Sequence, residues 1–285
     1  MINKFISVCL FLFLFPCICA AESETEKRPL WEFGLFNAAA RIPHYRGADE
    51  YNTYALPLPY LIYRGEIIQS DREGLRGIFF KNNHFESGIS LSGNPPADDD
   101  SKAREGMPEL DTLLEIGPSL KYYFTGRAYP QKHTLYAESA LRAAMSLSFD
   151  SGADIAYEGL HADIHLNYIS RILYQKSGIL FGGKIGFDFG NSELNGYFYD
   201  VSSAYVRPGR ESYASGGGYA GVSLSGWISK KLTKNLSLGF YSGLSNISGS
   251  VFEDSPLVKE KNNITVGCAL SWKIWESAQT VTSSR

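Results

Sequence analysis

Apolar and polar residues alternate strictly over long parts of the chain. Residues 159–169 show this most clearly, with apolar side chains at every second position and histidine, aspartate or asparagine between them. Successive side chains of a β-strand point to opposite faces of a sheet, whereas a helix would spread these polar groups around its circumference. The pattern therefore predicts β-strands with one apolar and one polar face.

The same period of two recurs in several further segments of about ten residues. The clearest are residues 114–124, 179–189, 235–244 and 264–274. A tilted strand of about this length crosses the hydrocarbon core of a membrane, whereas strands of soluble proteins average about 5–6 residues. We therefore predict an all-β fold, a transmembrane antiparallel β-barrel, with a soluble β-sandwich as the alternative.

Turn and loop lengths predict the topology of this barrel. Short polar turns occur at Arg64-Gly65 and at residues 81–84, 174–178 and 231–235. Longer polar stretches occur at residues 42–53, 94–111, 190–215 and 246–261. Bacterial barrels have short periplasmic turns, long outer loops and an even strand number. The loops fit this rule if residues 66–80 hold two short strands, which gives about 12 strands, with ten or fourteen as alternatives.

The first 21 residues have the three parts of a secretory signal peptide. Lys4 supplies the positive charge, residues 6–15 are apolar, and Cys19-Ala20-Ala21 is a small-residue cleavage site. Cys17 and Cys19 raise a lipoprotein as the alternative, but the residues before them do not fit a lipobox. We expect export, cleavage after Ala21, and one barrel domain over residues 22–285.

Composition narrows the class of function. The formal net charge is −3, which argues against a nucleic-acid-binding protein, and aromatic residues make up 14% of the chain. Of the four cysteines only Cys268 lies beyond the leader, so we expect no intrachain disulfide and no zinc site. We expect no cofactor and no other metal.

Two motifs, in order after the leader, resemble the signatures of the MipA/OmpV family of outer-membrane proteins. The first is an aromatic-x-Gly-x-acid loop followed by a Pro-x-Pro-Tyr strand and a Tyr-Arg-Gly turn; its residues are Tyr45, Gly47, Asp49, Pro57, Pro59, Tyr60, Tyr63, Arg64 and Gly65. The second lies in residues 104–120; its residues are Gly106, Met107, Pro108, Leu110, Asp111, Glu115, Gly117 and Pro118.

This resemblance implies a location in the outer membrane and a scaffolding role that links a lytic transglycosylase to a peptidoglycan synthase. The family also includes members described as porin-like or adhesive, so a narrow pore for small solutes and a surface adhesin are the alternatives. The last strand, residues 265–272, is similar to the assembly signal of outer-membrane barrels, but 13 residues follow it. We expect a monomer that contacts outer-membrane lipid.

His161, Asp163 and His165 are the best candidates for chemistry. They share one face of a predicted strand, spaced about 6.5–7 Å apart. Histidine beside carboxylate can serve acid–base catalysis or bind a metal. Polar residues that face the lumen are, however, the rule in such barrels, and no nucleophile pattern accompanies these. We therefore interpret them as a polar lumen cluster and expect no enzymatic activity.

Overall fold

In the computed structural model, fourteen strands make up most of the described chain, which is residues 27–71, 74–97, 101–127, 132–148 and 154–282. The predicted leader lies outside these residues. The strands are β1 (Lys27–Pro29), β2 (Trp31–Pro43), β3 (Tyr51–Arg64), β4 (Ile68–Asp71), β5 (Gly74–Lys81), β6 (Phe85–Asn94), β7 (Thr112–Tyr123), β8 (His133–Ser148), β9 (Asp154–Ser170), β10 (Ile179–Gly190), β11 (Gly218–Lys231), β12 (Leu236–Asn246), β13 (Asn262–Glu276) and β14 (Thr280–Thr282).

Strands β2 to β13 form a closed antiparallel barrel in which each strand pairs with its neighbour in sequence. The barrel closes where β13 pairs with β2, from Val266↔Arg41 to Glu276↔Glu32. The prediction of twelve strands is confirmed, and so is the short strand pair in residues 66–80, which forms β4 and β5. Closure leaves no free sheet edge in the fully paired part of the wall.

The predicted alternation of faces is also confirmed. Along β12, Leu236, Leu238 and Phe240 point outwards, and Ser237 and Gly239 between them are buried. Apolar outer faces recur around the barrel, and aromatic side chains gather near the strand ends on one side. These exposed aromatics are Trp31, Tyr63, Phe85, Tyr122, Phe124, Tyr168, Trp272 and Trp275. Such a girdle is typical of the membrane interface of outer-membrane barrels.

The wall is not equally tall all round. The β4–β5 hairpin is only four residue pairs high, because Asp71 pairs directly with Gly74 across its tip. As a result β3 pairs with β4 only at Tyr63↔Ser70 and Arg64↔Gln69. On the other side β5 pairs with β6 no further up than Arg76↔Ser90. The remaining parts of β3 and β6 rise above the hairpin.

The connections differ sharply at the two ends of the barrel. Long segments join β2 to β3, β6 to β7, β10 to β11 and β12 to β13, all at one end. They contain the helix α2 (Ser192–Tyr199) and two short 3₁₀ helices, Lys102–Arg104 and Ser203–Tyr205. The other end carries short turns, one of which includes the helix α1 (Tyr174–Ser177). None of the helices in the described ranges is long and apolar enough to span a bilayer.

The two ends of the described chain, near Lys27 and Thr282, meet below the short-turn end. β1 pairs antiparallel with β14 as a separate two-stranded sheet. The link is reinforced where the Leu30 N–H donates to the Gln279 carbonyl at 2.9 Å and the Ser277 N–H donates to the Trp31 carbonyl at 3.0 Å. The residues after the last barrel strand therefore tie the start of the described chain to its end.

A disulfide across this small sheet should report the pairing. Arg28 lies opposite Val281, and opposite residues of an antiparallel pair have Cα atoms about 4.5–5.5 Å apart, within disulfide range. With Cys268 replaced by alanine, we expect Arg28→Cys/Val281→Cys to oxidise completely, as measured by thiol titration and mass spectrometry. The displaced pair Arg28→Cys/Gln279→Cys should stay reduced, and the reverse result would contradict the pairing.

Candidate functional site

The four long segments fold together into a cap over one mouth of the barrel. Their apolar side chains form one buried cluster, to which each segment contributes. Its members are Tyr45, Ala48, Ala97, Leu110, Tyr199, Val201, Ile247, Phe252 and Leu257. The rings of Tyr199 and Phe252 stack with centroids 3.7 Å apart at the centre of the cluster. The loop cap is therefore a packed structure with its own core.

The aromatic-x-Gly loop of the first signature anchors the loop cap. The hydroxyl of Tyr45 donates to the Leu257 carbonyl at 2.7 Å, and burial raises the pKa of Tyr45 to about 12. Gly47 has a φ of +96°, and a Cβ there would lie 3.0 Å from Ile247. Its N–H donates to the side-chain oxygen of Asn263 at 2.6 Å. The glycine is needed both for its backbone angle and for this close packing.

The second signature forms another part of the loop cap. The Arg104 guanidinium donates to the carbonyls of Phe198, at 2.8 Å, and Pro108, at 3.2 Å. Met107 packs against the buried cluster, and Leu110 belongs to it. Burial holds the pKa of Arg104 below its ordinary value. The motif thus packs on the rest of the cap.

The helix α2 joins the loop cap to the barrel wall. The side-chain oxygen of Asn191 accepts from the Leu194 N–H at 3.0 Å as an N-cap, and from the Leu160 N–H of β9 at 2.9 Å. Gly159 allows this approach, since a Cβ there would lie 2.4 Å from the same oxygen. One asparagine therefore starts the helix and fixes it to β9.

Beneath the loop cap, Arg46 and Asp188 join it to a charged network in the lumen. The Arg46 guanidinium reaches down from its loop and donates to the Asp188 carboxylate at 2.8 Å. That carboxylate holds the pKa of Arg46 above its usual range. His161 lies between two acids, with Nδ1 2.7 Å from Glu115 and Nε2 3.4 Å from Asp188. These four side chains come from the cap, β7, β9 and β10.

The network continues downwards through the other two candidate residues. Nδ1 of His165 lies 3.0 Å from the Asp163 carboxylate, which also pairs with the Arg142 guanidinium. Nε of Arg142 in turn donates to the Ser90 hydroxyl at 2.8 Å. The structure therefore places His161, Asp163 and His165 on the lumen face of β9.

This arrangement favours a structural role for the three residues. His161 faces Glu115 of β7 and Asp163 faces Arg142 of β8, while His165 lies beside Asp163 on its own strand and 4.0 Å from Asp188 of β10. The described ranges contain no group of three or more His, Cys, Asp or Glu side chains placed to hold a metal ion. The sequence did not identify Arg46 and Ser90 as members of this network, because nothing local in it shows that a cap loop and β6 reach the same place.

A second, apolar sector of the lumen lies against β2, β3 and β13. Its buried side chains form a cluster away from the charged network. They are Phe36, Leu58, Tyr60, Ile62 and Ala269. The signature residue Tyr60 therefore points inwards, whereas Pro57, Pro59 and Tyr63 lie on the exposed outer face of β3. One side of the lumen is therefore apolar and another side is charged.

The Tyr-Arg-Gly turn of the first signature fastens the short-turn end. Arg64 pairs with Glu32 and donates to the Pro29 carbonyl at 2.8 Å. A Cβ at Gly65 would lie 2.7 Å from the Ile68 carbonyl oxygen, so the turn requires glycine.

The remaining signature residues have simpler positions. Gly106 has a φ of +77°, which favours glycine, and Asp49 is exposed on the cap. The Asp111 carbonyl accepts a long bond, 3.5 Å, from the Tyr197 hydroxyl. A Cβ at Gly117 would meet the Leu141 carbonyl oxygen at 1.9 Å, and Pro118 is exposed on the outer face of β7.

Two adjoining turns at the short-turn end carry a lysine cluster, Lys176, Lys230, Lys231 and Lys234. The turns touch where the Lys231 N–H donates to the Gly178 carbonyl at 3.0 Å. Lys176, Lys230 and Lys234 are exposed, and neither residues 171–178 nor residues 230–236 contain a carboxylate. This part of the surface is therefore locally positive on a chain of net negative charge.

The sequence profile of the family described as "MltA-interacting protein MipA" matches residues 35–274. The chain belongs to the MipA family. The match spans the barrel from β2 to β13 and includes both signatures, so the resemblance read from them is confirmed. No curated protein sequence matches the chain.

Solved outer-membrane barrels resemble this MipA-family protein only distantly. The toluene transporter TodX of Pseudomonas putida shares 9% identity at a TM-score of 0.35, over 88% of this chain and 90% of its own. The CymD monoaromatic hydrocarbon channel shares 12% at 0.34, over 87% and 89%. Outer membrane phospholipase A of Escherichia coli shares 10% at 0.29, over 87% and 94%. These similarities support no conclusion about function.

Removing the charge of Asp188 should destabilise the barrel. Asp188→Asn leaves Arg46 and His161 without their shared carboxylate. Breaking one side of a fully buried pair costs about 3–5 kcal/mol, and the loss here is smaller because the Arg46 side chain is 36% exposed. We expect a lower unfolding temperature, measured from the heat-modified band on SDS gels. The double variant Arg46→Met/Asp188→Leu should lose less, because it removes both charges. Equal stability of Asp188→Asn and the native protein would contradict a structural network.

Loss of the stacked pair should loosen the loop cap without unfolding the barrel. Phe252→Ala removes a fully buried ring, which costs about 3–5 kcal/mol of local packing. We expect trypsin to cleave the cap on intact cells, after Lys259 or Lys261, at least ten times faster than in the native protein. Val206→Ala, at an exposed cap residue, is the matched control. Unchanged cleavage of Phe252→Ala would show that the cap has no cooperative core.

Proposed function

We propose that this MipA-family barrel is a non-catalytic docking protein of the outer membrane, whose short-turn end binds cell-wall enzymes in the periplasm. The partners proposed are a lytic transglycosylase and a peptidoglycan synthase. The family description, "MltA-interacting protein MipA", supports the first partner in general terms. The apolar outer face and its aromatic girdle support the membrane location.

The observation that carries this proposal is the lysine cluster. Its lysines lie on two adjoining turns at the end of the barrel that is periplasmic by the rule of short turns. Exposed charges on a rim set the rate and orientation of encounter with a partner of opposite charge. An acidic patch on a soluble enzyme domain is the surface that such a cluster would attract.

The other two regions of the molecule fit a passive role. The loop cap packs its own core over one mouth, with Ile247 and Leu257 fully buried. The candidate acid–base groups of the lumen lie against the carboxylates of Glu115, Asp163 and Asp188 beneath it. The packed loop cap and the lumen side chains beneath it disfavour both a wide path for solutes and an open catalytic cleft. The outer surfaces of the barrel are then the remaining sites of interaction with a partner protein.

Reversing charge in the lysine cluster should abolish partner binding. We expect the purified native barrel to retain a lytic transglycosylase or peptidoglycan synthase from the periplasmic and membrane fraction of its host, identified by mass spectrometry. Lys176→Glu/Lys234→Glu should reduce recovery at least tenfold. Salt should weaken native retention, because the attraction between exposed charges decays over about 10 Å at an ionic strength of 0.1 M.

The control makes the same change of charge at the opposite end. Lys102→Glu/Lys259→Glu alters two exposed lysines of the loop cap and should leave recovery unchanged. Equal losses in both variants would indicate non-specific electrostatic binding. A native barrel that retains no cell-wall enzyme would refute the docking function, and a steady single-channel conductance would favour the pore.

A further inference from the structure

Lys184 is exposed although it faces the inside of the barrel. It lies four positions before Asp188 on β10, and β10 pairs with β9 without a bulge over this stretch, so both side chains point into the lumen. Ile185 and Phe187, between them, are exposed on the outer face. A side chain that points into a closed barrel is exposed only where the lumen beside it is unfilled.

The open space continues around the wall to the next three strands. On β11, the lumen-facing Ser223 and Ser225 are half-buried, between the buried Gly221 and Ser229. Thr265 on β13 is half-buried in the same way. We call this space the central chamber. Its lining on β10 to β13 is formed by Lys184, Ser223, Ser225, Tyr241, Ser245 and Thr265.

The loop cap forms the ceiling of the central chamber. Arg46 reaches down from the cap, and its side chain is 36% exposed, whereas that of its partner Asp188 is only 3% exposed. Because Arg46 lies beneath the packed cap, its accessible surface faces the lumen. Four residues of β10 separate Lys184 from Asp188, which is about 13 Å along a strand. This length suits a small solute.

Trp227 borders the central chamber towards the short-turn end. Its ring lies over Gly182 of β10, where a Cβ would be 2.8 Å from the ring. Trp227 is half-buried, whereas Leu180, the next lumen-facing residue of β10 beyond Gly182, is 1% exposed. The lumen on this side is therefore packed below the tryptophan and open above it.

Lys184 has no acidic neighbour on the adjoining strands. The residues opposite and diagonal to it on β9 and β11 are Asn167, Ser225, His165, Ser223, Ile169 and Trp227. Within the described ranges, no hydrogen bond or ion pair engages its ammonium group. Two acids of the adjoining wall, Glu138 and Asp188, pair with Lys121 and Arg46 instead. The central chamber thus contains a positive charge without a counter-ion from the described residues.

The groups around Lys184 offer donors in excess of acceptors. The side-chain nitrogen of Asn167, directly opposite Lys184, is buried and has no acceptor among the described residues. The hydroxyls of Ser223 and Ser225 can donate as well. Unpaired donors away from bulk water cost free energy, and a charged acceptor forms the stronger hydrogen bonds with them. A carboxylate or phosphate group supplies such oxygens, whereas the ammonium group would repel a cation.

We infer that the central chamber binds a small solute that carries an oxyanion, a carboxylate or phosphate group, with Lys184 as its counter-ion. The serine and threonine hydroxyls of the lining orient the solute. This site is separate from the lysine cluster on the outer turns, and it does not depend on the docking function. The barrel is then a receptor for small anions as well as a docking protein.

Quenching of tryptophan fluorescence by ions tests this inference on the full-length barrel in detergent. Trp31, Trp272 and Trp275 are replaced by phenylalanine, so that Trp227 remains as the reporter beside the central chamber. We expect iodide to quench Trp227 at least three times as strongly as caesium at the same ionic strength, because Lys184 attracts the anion. Quenching by neutral acrylamide measures the access of an uncharged solute.

Removing the charge of Lys184 should abolish the preference for iodide. Lys184→Gln should lower iodide quenching at least threefold and leave acrylamide quenching unchanged, and Lys184→Arg should restore the preference. Lys184→Met takes the place of Lys184→Gln if that variant fails the heat-modification test of folding. Lys81→Gln is the matched control, because it removes an exposed lysine at the short-turn end of β5. It should leave iodide quenching unchanged.

Protection against iodide identifies the bound group. We expect inorganic phosphate or gluconate at millimolar concentration to halve iodide quenching, while glucose has no effect. Protection by phosphate alone assigns a phosphate group, and protection by gluconate alone assigns a carboxylate. The inference is overturned if neither protects, if Lys184→Gln is quenched by iodide as strongly as the native lysine, or if none of the three quenchers reaches Trp227.

Discussion

The need to pair every backbone N–H and C=O group within hydrocarbon governs this structure. A strand that crosses a bilayer has no water to bond with, so its edges must be covered by neighbouring strands. Closure through β13 and β2 satisfies this requirement around the barrel. The alternating faces then follow, because each wall residue contacts either lipid or lumen. The outer apolar belt and the polar lumen are two consequences of the same ladder.

The backbone ladder is incomplete along β3, above its short pairing with β4, and the sequence of β3 is unusual there. Prolines are rare in strand interiors because they lack a donor, and β3 carries two of them on the edge that has no partner. The short β4–β5 hairpin leaves part of this β3 edge without a paired strand, and the two prolines there have no N–H group that would lack a partner. The strand register places Pro57 and Pro59 on the edge of β3 that faces away from β2, above its short pairing with β4.

The loop cap and the lumen network form a single connected structure. Tyr199, in the cap core, donates from its hydroxyl to the Arg46 carbonyl at 2.8 Å, and Arg46 reaches down to Asp188. The packing of the four long loops therefore sets the position of a charge within the barrel. This connection explains why signature residues such as Tyr45 and Glu115, far apart in sequence, serve the same part of the molecule.

Much of this architecture follows from the sequence alone. The period of two determined the strands and their faces, turn lengths determined their number, and the two signatures determined the family, because each depends on short-range pattern. The partners of His161 and the core of the loop cap did not follow, since they join residues of separate segments whose encounter depends on strand register. His161 meets Glu115 from 46 positions away and Asp188 from 27 positions away. The uneven height of the barrel wall likewise required the tertiary structure. A short hairpin can be read from sequence, but only the pairing of β3 with β4 shows how much of the wall it leaves uncovered.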